Sequence, residues 1–102
     1  MNLNQLMRQA QQMQKKVNKL KKEFEEKEFE FTSPQDLITG TINGKLELTK
    51  LNISESLLEK DNKDMLEDLL ISTINENMLK ISNEKEKVLN TATGGVDVSA
   101  FL

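Results

Sequence analysis

A heptad stripe between residues 3 and 24 constrains this chain more than any other feature. Leu3, Leu6, Ala10, Met13, Val17, Leu20 and Phe24 recur at alternating steps of three and four, the a and d spacing of an α-helix that pairs with another helix. At ~1.5 Å per residue, a helix from Leu3 to about Lys27 runs roughly 36 Å, against the ~33 Å breadth of a compact domain with a radius of gyration of ~13 Å. A strict two-in-seven stripe is also narrower than the apolar face of a helix lying on a globular core. One protomer hardly covers such a seam, so the stripe predicts a homodimer in which the seam is part of the contact.

The same stretch is basic. Arg8, Lys15, Lys16, Lys19, Lys21 and Lys22 precede the first acid, Glu23, so the first twenty-two residues carry a side-chain charge of +6. The whole chain is −3, which leaves −9 on the remainder, from eight lysines against seventeen acids. Segregation of this kind points to a surface for a polyanion. With Leu3 at heptad position a, Arg8, Lys15 and Lys22 all fall at f, roughly 10 Å apart on the face opposite the seam. Lys16, Lys19 and Lys21 widen that line. Glutamines 5, 9, 11, 12 and 14 fill other exposed positions, and amides beside cations suit contacts to phosphate and sugar as well as to water. A solvated polar face is the plainer reading of the same residues.

Composition narrows the chemistry. The chain has 102 residues, enough for one domain, and contains neither cysteine nor histidine. Disulfides, thiolate sites, the commonest metal ligand and the usual near-neutral proton shuttle are therefore absent. Asp61, Asp64, Glu67 and Asp68 cluster in sequence, but they match no calcium-loop spacing, and acids gather at a helix N-terminus in any case. No enzymatic activity, metal, cofactor or small-molecule substrate is expected. No apolar run reaches the ~18 residues of a membrane span, and the first ten residues lack the order of a signal peptide. A cytoplasmic protein with no membrane partner is the expectation.

Beyond Phe24 the periodicity changes. Glu28-Phe29-Glu30-Phe31 alternates as a half-buried strand does, with the switch near Lys27. Ser33-Pro34-Gln35-Asp36 reads as a turn. Leu37 to Ile42 is a second strand with Ile38, Gly40 and Ile42 on one face, and Gly40 predicts a bulge or a close backbone approach. Asn43-Gly44 fits a two-residue type I′ hairpin turn. In the strand from Lys45 to Ile53, Leu46 and Leu48 differ in parity from Leu51 and Ile53. Either both faces are covered or, as we favour, a bulge near Thr49-Lys50 resets the phase. Ser54 to Leu58 predicts a short helical turn burying Leu57 or Leu58. Asp61 or Asn62 is placed to cap a second long helix, whose Met65, Leu66, Leu69, Leu70, Ile74, Met78 and Ile81 read as core, interrupted by Thr73 and Asn77. The polar run 82–87 predicts that this helix projects beyond the core. Gly94-Gly95 ends it, and residues 96–102 read as a loosely held tail after a single domain over 1–95.

Four segments together resemble the YbaB/EbfC family of bacterial nucleoid-associated proteins: Leu6-Met7-Arg8-Gln9-Ala10-Gln11-Gln12-Met13-Gln14-Lys15, Thr41-Ile42-Asn43-Gly44, Ser56-Leu57-Leu58-Glu59 and Asp64-Met65-Leu66-Glu67-Asp68-Leu69. Their order and spacing fit from about Leu3 to Gly95. The resemblance implies an α+β fold, with a long helix, three antiparallel strands and a second long helix (α-β-β-β-α). It implies a homodimer whose sheets join and whose helices project as arms. It further implies broad binding to duplex DNA in the nucleoid, with effects on gene expression or on recombination and repair. Arg8, Lys15, Lys16, Lys19 and Lys22 match the family's cation-rich first helix. Family members often carry basic residues on the second helix, where this chain offers Lys80, Lys85 and Lys87 beside Glu84 and Glu86. The family's glycine-rich loop before the second strand is replaced by Ser33-Pro34-Gln35-Asp36, and a frequent strand lysine by Thr39. The runner-up reading is an adaptor whose acidic portions and projecting helices dock on a replication or repair protein.

Overall fold

The computed structural model describes residues 2–94. Helix α1 (Leu3–Glu25) leads through a tight bend into strand β1 (Glu28–Thr32). Strands β2 (Ile38–Asn43) and β3 (Leu48–Ile53) complete an antiparallel sheet in the order β1-β2-β3. Two short 3₁₀ turns then lead to helix α2 (Lys63–Ala92). The expected α-β-β-β-α order is the observed one. The expected tail, 96–102, lies outside the described residues.

The molecule is long and thin, measuring 70 × 19 × 17 Å with a radius of gyration of 19.2 Å, where a compact chain of this length would have ~13 Å. The shape follows from the two helices. Alternation turns Phe29 and Phe31 of β1, Ile38 and Ile42 of β2 and Ile53 of β3 to one face of the sheet. The first half of α2 lies there, mainly over β1 and β2, with Leu66, Leu69, Leu70, Ile74 and Met78 packed on a buried centre of Phe24, Phe31, Ile38, Ile42, Leu57 and Ile81. Past Ile81 the helix leaves the sheet and runs antiparallel to α1, where Leu89 and Val17, both fully buried, form a second cluster with Met13 and Leu20. The lower half of the heptad seam is thus covered within the protomer. Residues 2–12 are exposed throughout, and the upper half, with Leu3 at 70% exposure, stands free.

Other expectations meet the structure with mixed results. The bulge in β3 is present: Thr41 pairs with Lys50 and Ile42 with Leu48, leaving Thr49 as the extra residue. Leu48, Leu51 and Ile53 therefore share the helix-facing side, yet Leu48 and Leu51 stay exposed because α2 does not extend over this edge. Gly40 is a site of close approach, since a Cβ there would meet the Lys50 carbonyl and lie 2.7 Å from Cζ of the Phe31 ring. The hairpin differs from the two-residue type I′ turn that Asn43-Gly44 suggests. Asn43 and Glu47 pair across a three-residue loop, the Leu46 amide donates to the Asn43 carbonyl at 3.0 Å, and the left-handed residue is Leu46, with φ of 66°. The Asn43 carboxamide explains the difference, because its Oδ1 accepts from the amides of Lys45 and Glu47 at 2.9 and 3.0 Å and closes the longer loop. Gly44 serves packing, as a Cβ there would strike the Phe24 carbonyl.

Three features of the second half also depart from expectation. Asn62 occupies the position before α2, but its side chain makes no cap bond and instead donates to the Ser56 carbonyl at 2.7 Å. A 3₁₀ turn over Lys60–Asn62 leads into the helix. Met65 is half exposed rather than core, and Thr73 is buried, 4% exposed, instead of breaking the stripe. Leu57 is the residue buried after the sheet, while Leu58 is exposed. The polar stretch past Ile81 does leave the sheet core, accompanied by α1 rather than alone.

Candidate nucleic-acid interface

Helix α1 begins where Asn2 caps it, its Oδ1 accepting from the Gln5 amide at 2.8 Å. Its apolar stripe then fixes the azimuth of every cation. At ~100° per residue, Arg8, Lys15, Lys19 and Lys22 lie within about 60° of one another, centred opposite the seam. All four are exposed, as is Lys16, which lies about 90° from the centre of that sector. Lys21 does not widen this line. It falls on the far side of the helix, partly buried against α2. From Arg8 to Lys22 the stripe runs about 21 Å along the axis, the length of roughly six base pairs of duplex.

Glu23 and Glu26 follow Lys19 and Lys22 by four residues, yet no cation of the stripe forms an ion pair among the described residues. Among the described residues, the ion pairs within 4 Å are Lys63 with Glu67 and Lys80 with Glu76, so none of the α1 cations is paired within the protomer. Lys80 is therefore engaged, at 3.6 Å from its partner. It shares a surface patch with Asn83, Glu84 and Lys87. Lys85 is on another side of α2, in a groove lined by Lys21, Glu25, Gly44, Lys45, Leu46 and Ser82. The nine cations picked out by sequence thus form three groups: the α1 stripe, the Lys80–Lys87 patch and the inter-helix pair Lys21–Lys85. Sequence reading passed over Lys45, whose place beside the basic helix emerges only when the hairpin folds back against the end of α1.

Among the described residues, no three carboxylates gather as a metal site, and no helix is long and apolar enough to cross a membrane. Of the Asp61, Asp64, Glu67 and Asp68 set, Glu67 is held by Lys63 at 3.2 Å.

Comparison with known proteins shows the family and the fold. A nucleoid-associated protein of Clostridium acetobutylicum, CA_C0126, is 35% identical over 95% of this chain and 87% of its own length. Nucleoid-associated protein MYPE8070 of Malacoplasma penetrans is 40% identical over 90% of this chain and 97% of its own length. The crystal structure of uncharacterized protein HP0035 from Helicobacter pylori superposes with a TM-score of 0.74 at 23% identity, covering 86% of this chain and 92% of that one, which establishes the likeness of fold. The model of the YbaB/EbfC DNA-binding family matches residues 1–96, and the family is a DNA-binding rather than an enzymatic one. With its relatives named as nucleoid-associated proteins, its α-β-β-β-α order and its unpaired basic helix, the chain belongs to the YbaB/EbfC DNA-binding family.

Proposed function

We propose that this protein binds duplex DNA as a homodimer, with little dependence on sequence, and gives the nucleoid part of its organisation. The carrying observation is the basic stripe on the exposed face of α1, whose cations form no ion pair within 4 Å among the described residues. Lysine and arginine side chains there displace counterions condensed on phosphates, an interaction that positions the protein without reading bases. The basic segment holds no aromatic residue to stack on single strands, and Arg8 alone cannot specify a site. Effects on gene expression, recombination or repair follow from occupancy of the DNA.

Exposed apolar side chains support the dimer. Leu3 and Leu6 on the free seam, Leu48 and Leu51 on the uncovered edge of the sheet, and Ile71 and Leu79 on the outer face of α2 are exposed, and apolar side chains grouped along a seam and a sheet edge suit contact with a second copy. Strand β3 ends the sheet, so its free backbone groups are available to a second copy. A dimer of this kind carries two basic arms. Fluorescence anisotropy of a labelled duplex of about thirty base pairs, three helical turns, tests the reading. The unaltered protein is expected to bind, and the variant combining Lys15→Glu, Lys19→Glu and Lys22→Glu to lose binding while circular dichroism shows it folded. Equal binding by the two would sink the stripe as the DNA surface. A single stoichiometric protein partner recovered after DNA digestion, with no duplex binding, would favour the adaptor.

A further inference from the structure

We infer that the groove where α1, α2 and the β2–β3 hairpin meet is a phosphate seat for the DNA backbone, formed by Lys21, Lys45 and Lys85. It rests on the DNA-binding reading above and adds a second binding surface to it.

The sequence places two of these lysines where packing alone would not. Lys21 follows Val17 by four residues and precedes Phe24 by three, and both of those are buried. Lys85 stands four residues from Ile81 and four from Leu89, again both buried. Each lysine therefore lies on the stripe its helix turns toward the other, between the sheet core and the Val17–Leu89 cluster. Both are partly buried, so like charges share a helix seam, an arrangement that opposes folding. An apolar pair would pack the same layer better.

That repulsion is offset only in part. Glu25 lines the groove with them, yet neither lysine has a carboxylate within 4 Å among the described residues. The hairpin brings a third cation instead. Lys45 is held at its tip by the bond from its amide to Asn43 Oδ1, while the Gly44 amide donates to the Lys27 carbonyl at 2.9 Å and fastens the loop to the base of α1. Three lysines from three elements, against one glutamate, leave the groove at +2. The Ser82 hydroxyl adds a neutral donor. The groove is half open to solvent and offers about 400 Å³, room for a phosphate group with several waters at ~30 Å³ each. A bound phosphate turns mutual repulsion into three charge-assisted hydrogen bonds. Because Lys21 points roughly 125° away from the α1 stripe, groove and stripe take different phosphates, and their effects on salt dependence are separable.

The test measures duplex affinity across a salt series for three proteins: the unaltered chain, Lys45→Gln, and the double variant Lys45→Gln with Lys85→Met. Thermal melting is followed in parallel. Lys45→Gln alone, on an exposed loop tip, is expected to leave the fold intact, weaken binding several-fold and flatten the slope of log K against log salt by about one for each phosphate no longer neutralised. The double variant is expected to bind roughly tenfold more weakly or worse at low salt and yet to melt at a higher temperature, since it removes a like charge from the helix seam. Unchanged affinity and slope in both variants, with binding still abolished by the Lys15, Lys19 and Lys22 reversals, would overturn the seat and leave the stripe standing. Failure of the unaltered protein to bind duplex would overturn both.

Discussion

Gly44 shows how one residue can be found in the sequence for the wrong reason. Its partnership with Asn43 suggests two residues of positive φ, whereas the structure uses the asparagine as an amide acceptor and the glycine as a gap for the Phe24 carbonyl. A side chain at that point meets backbone, which cannot yield as a flexible side chain can. Gly44→Ala is expected to cost about 1–3 kcal/mol, read as a lower denaturation midpoint. Among the described residues the left-handed ones fall elsewhere, at Gln35, Asp36 and Leu46, with φ of 61°, 55° and 66°, and at Gly94 with 68°. The turn after β1 therefore demands the conformation for which a glycine-rich loop is suited, though this chain supplies none there. The turn is held instead by Ser33, whose Oγ accepts from the Ile38 amide at 2.9 Å, and by the Thr32 hydroxyl donating to Asp36 at 2.8 Å. Gln35→Gly should relieve about 1 kcal/mol of strain and raise the melting temperature by ~4–8 °C. No change or a fall would show that the loop bonds already compensate for the strained backbone.

Among the elements, α1 was the most legible because its period, charge and length are all local properties of the sequence. What the periodicity could not say is which partner each half of the seam meets. Val17, Leu20 and Phe24 are satisfied by α2, an element some sixty residues later, and Leu3 and Leu6 are not satisfied within the protomer. Helix α2 was harder to read, because its single stripe turns from sheet to helix along its length. Its buried Thr73 and exposed Met65, Ile71 and Leu79 reflect that change of partner. The two clusters predict separable stability. Leu89→Ala removes the side chain that closes the helix pair beyond the sheet. It should loosen the arms locally, with faster amide exchange at residues 13–20 and 85–92, while the β2 amides stay protected to nearly the same degree. Phe24→Ala removes the ring that ties α1 to the sheet core and is expected to cost ~3–5 kcal/mol throughout. Equal protection losses in sheet and arms for both variants would show one cooperative unit instead of two.

For the molecule as a whole, a 70 Å protomer with uncovered leucines on its sheet edge and its longer arm is a shape suited to pairing. Leu48→Glu with Leu51→Glu is expected to halve the sedimentation mass at micromolar concentration; an unaltered protein already sedimenting as one chain would contradict the dimer. The function class was legible from charge segregation plus four short segments, since both lie in the linear sequence. The lysine groove was not, because its members span more than sixty residues of chain, Lys21 to Lys85, and meet only in the fold. The most direct measurement is the salt dependence of duplex binding by the unaltered protein. If about three cations of each α1 engage, a dimer neutralises roughly six phosphates and log K should fall against log salt with a slope near −5. A slope close to zero, or tight binding confined to one sequence at high salt, would contradict an electrostatic grip by the basic helix.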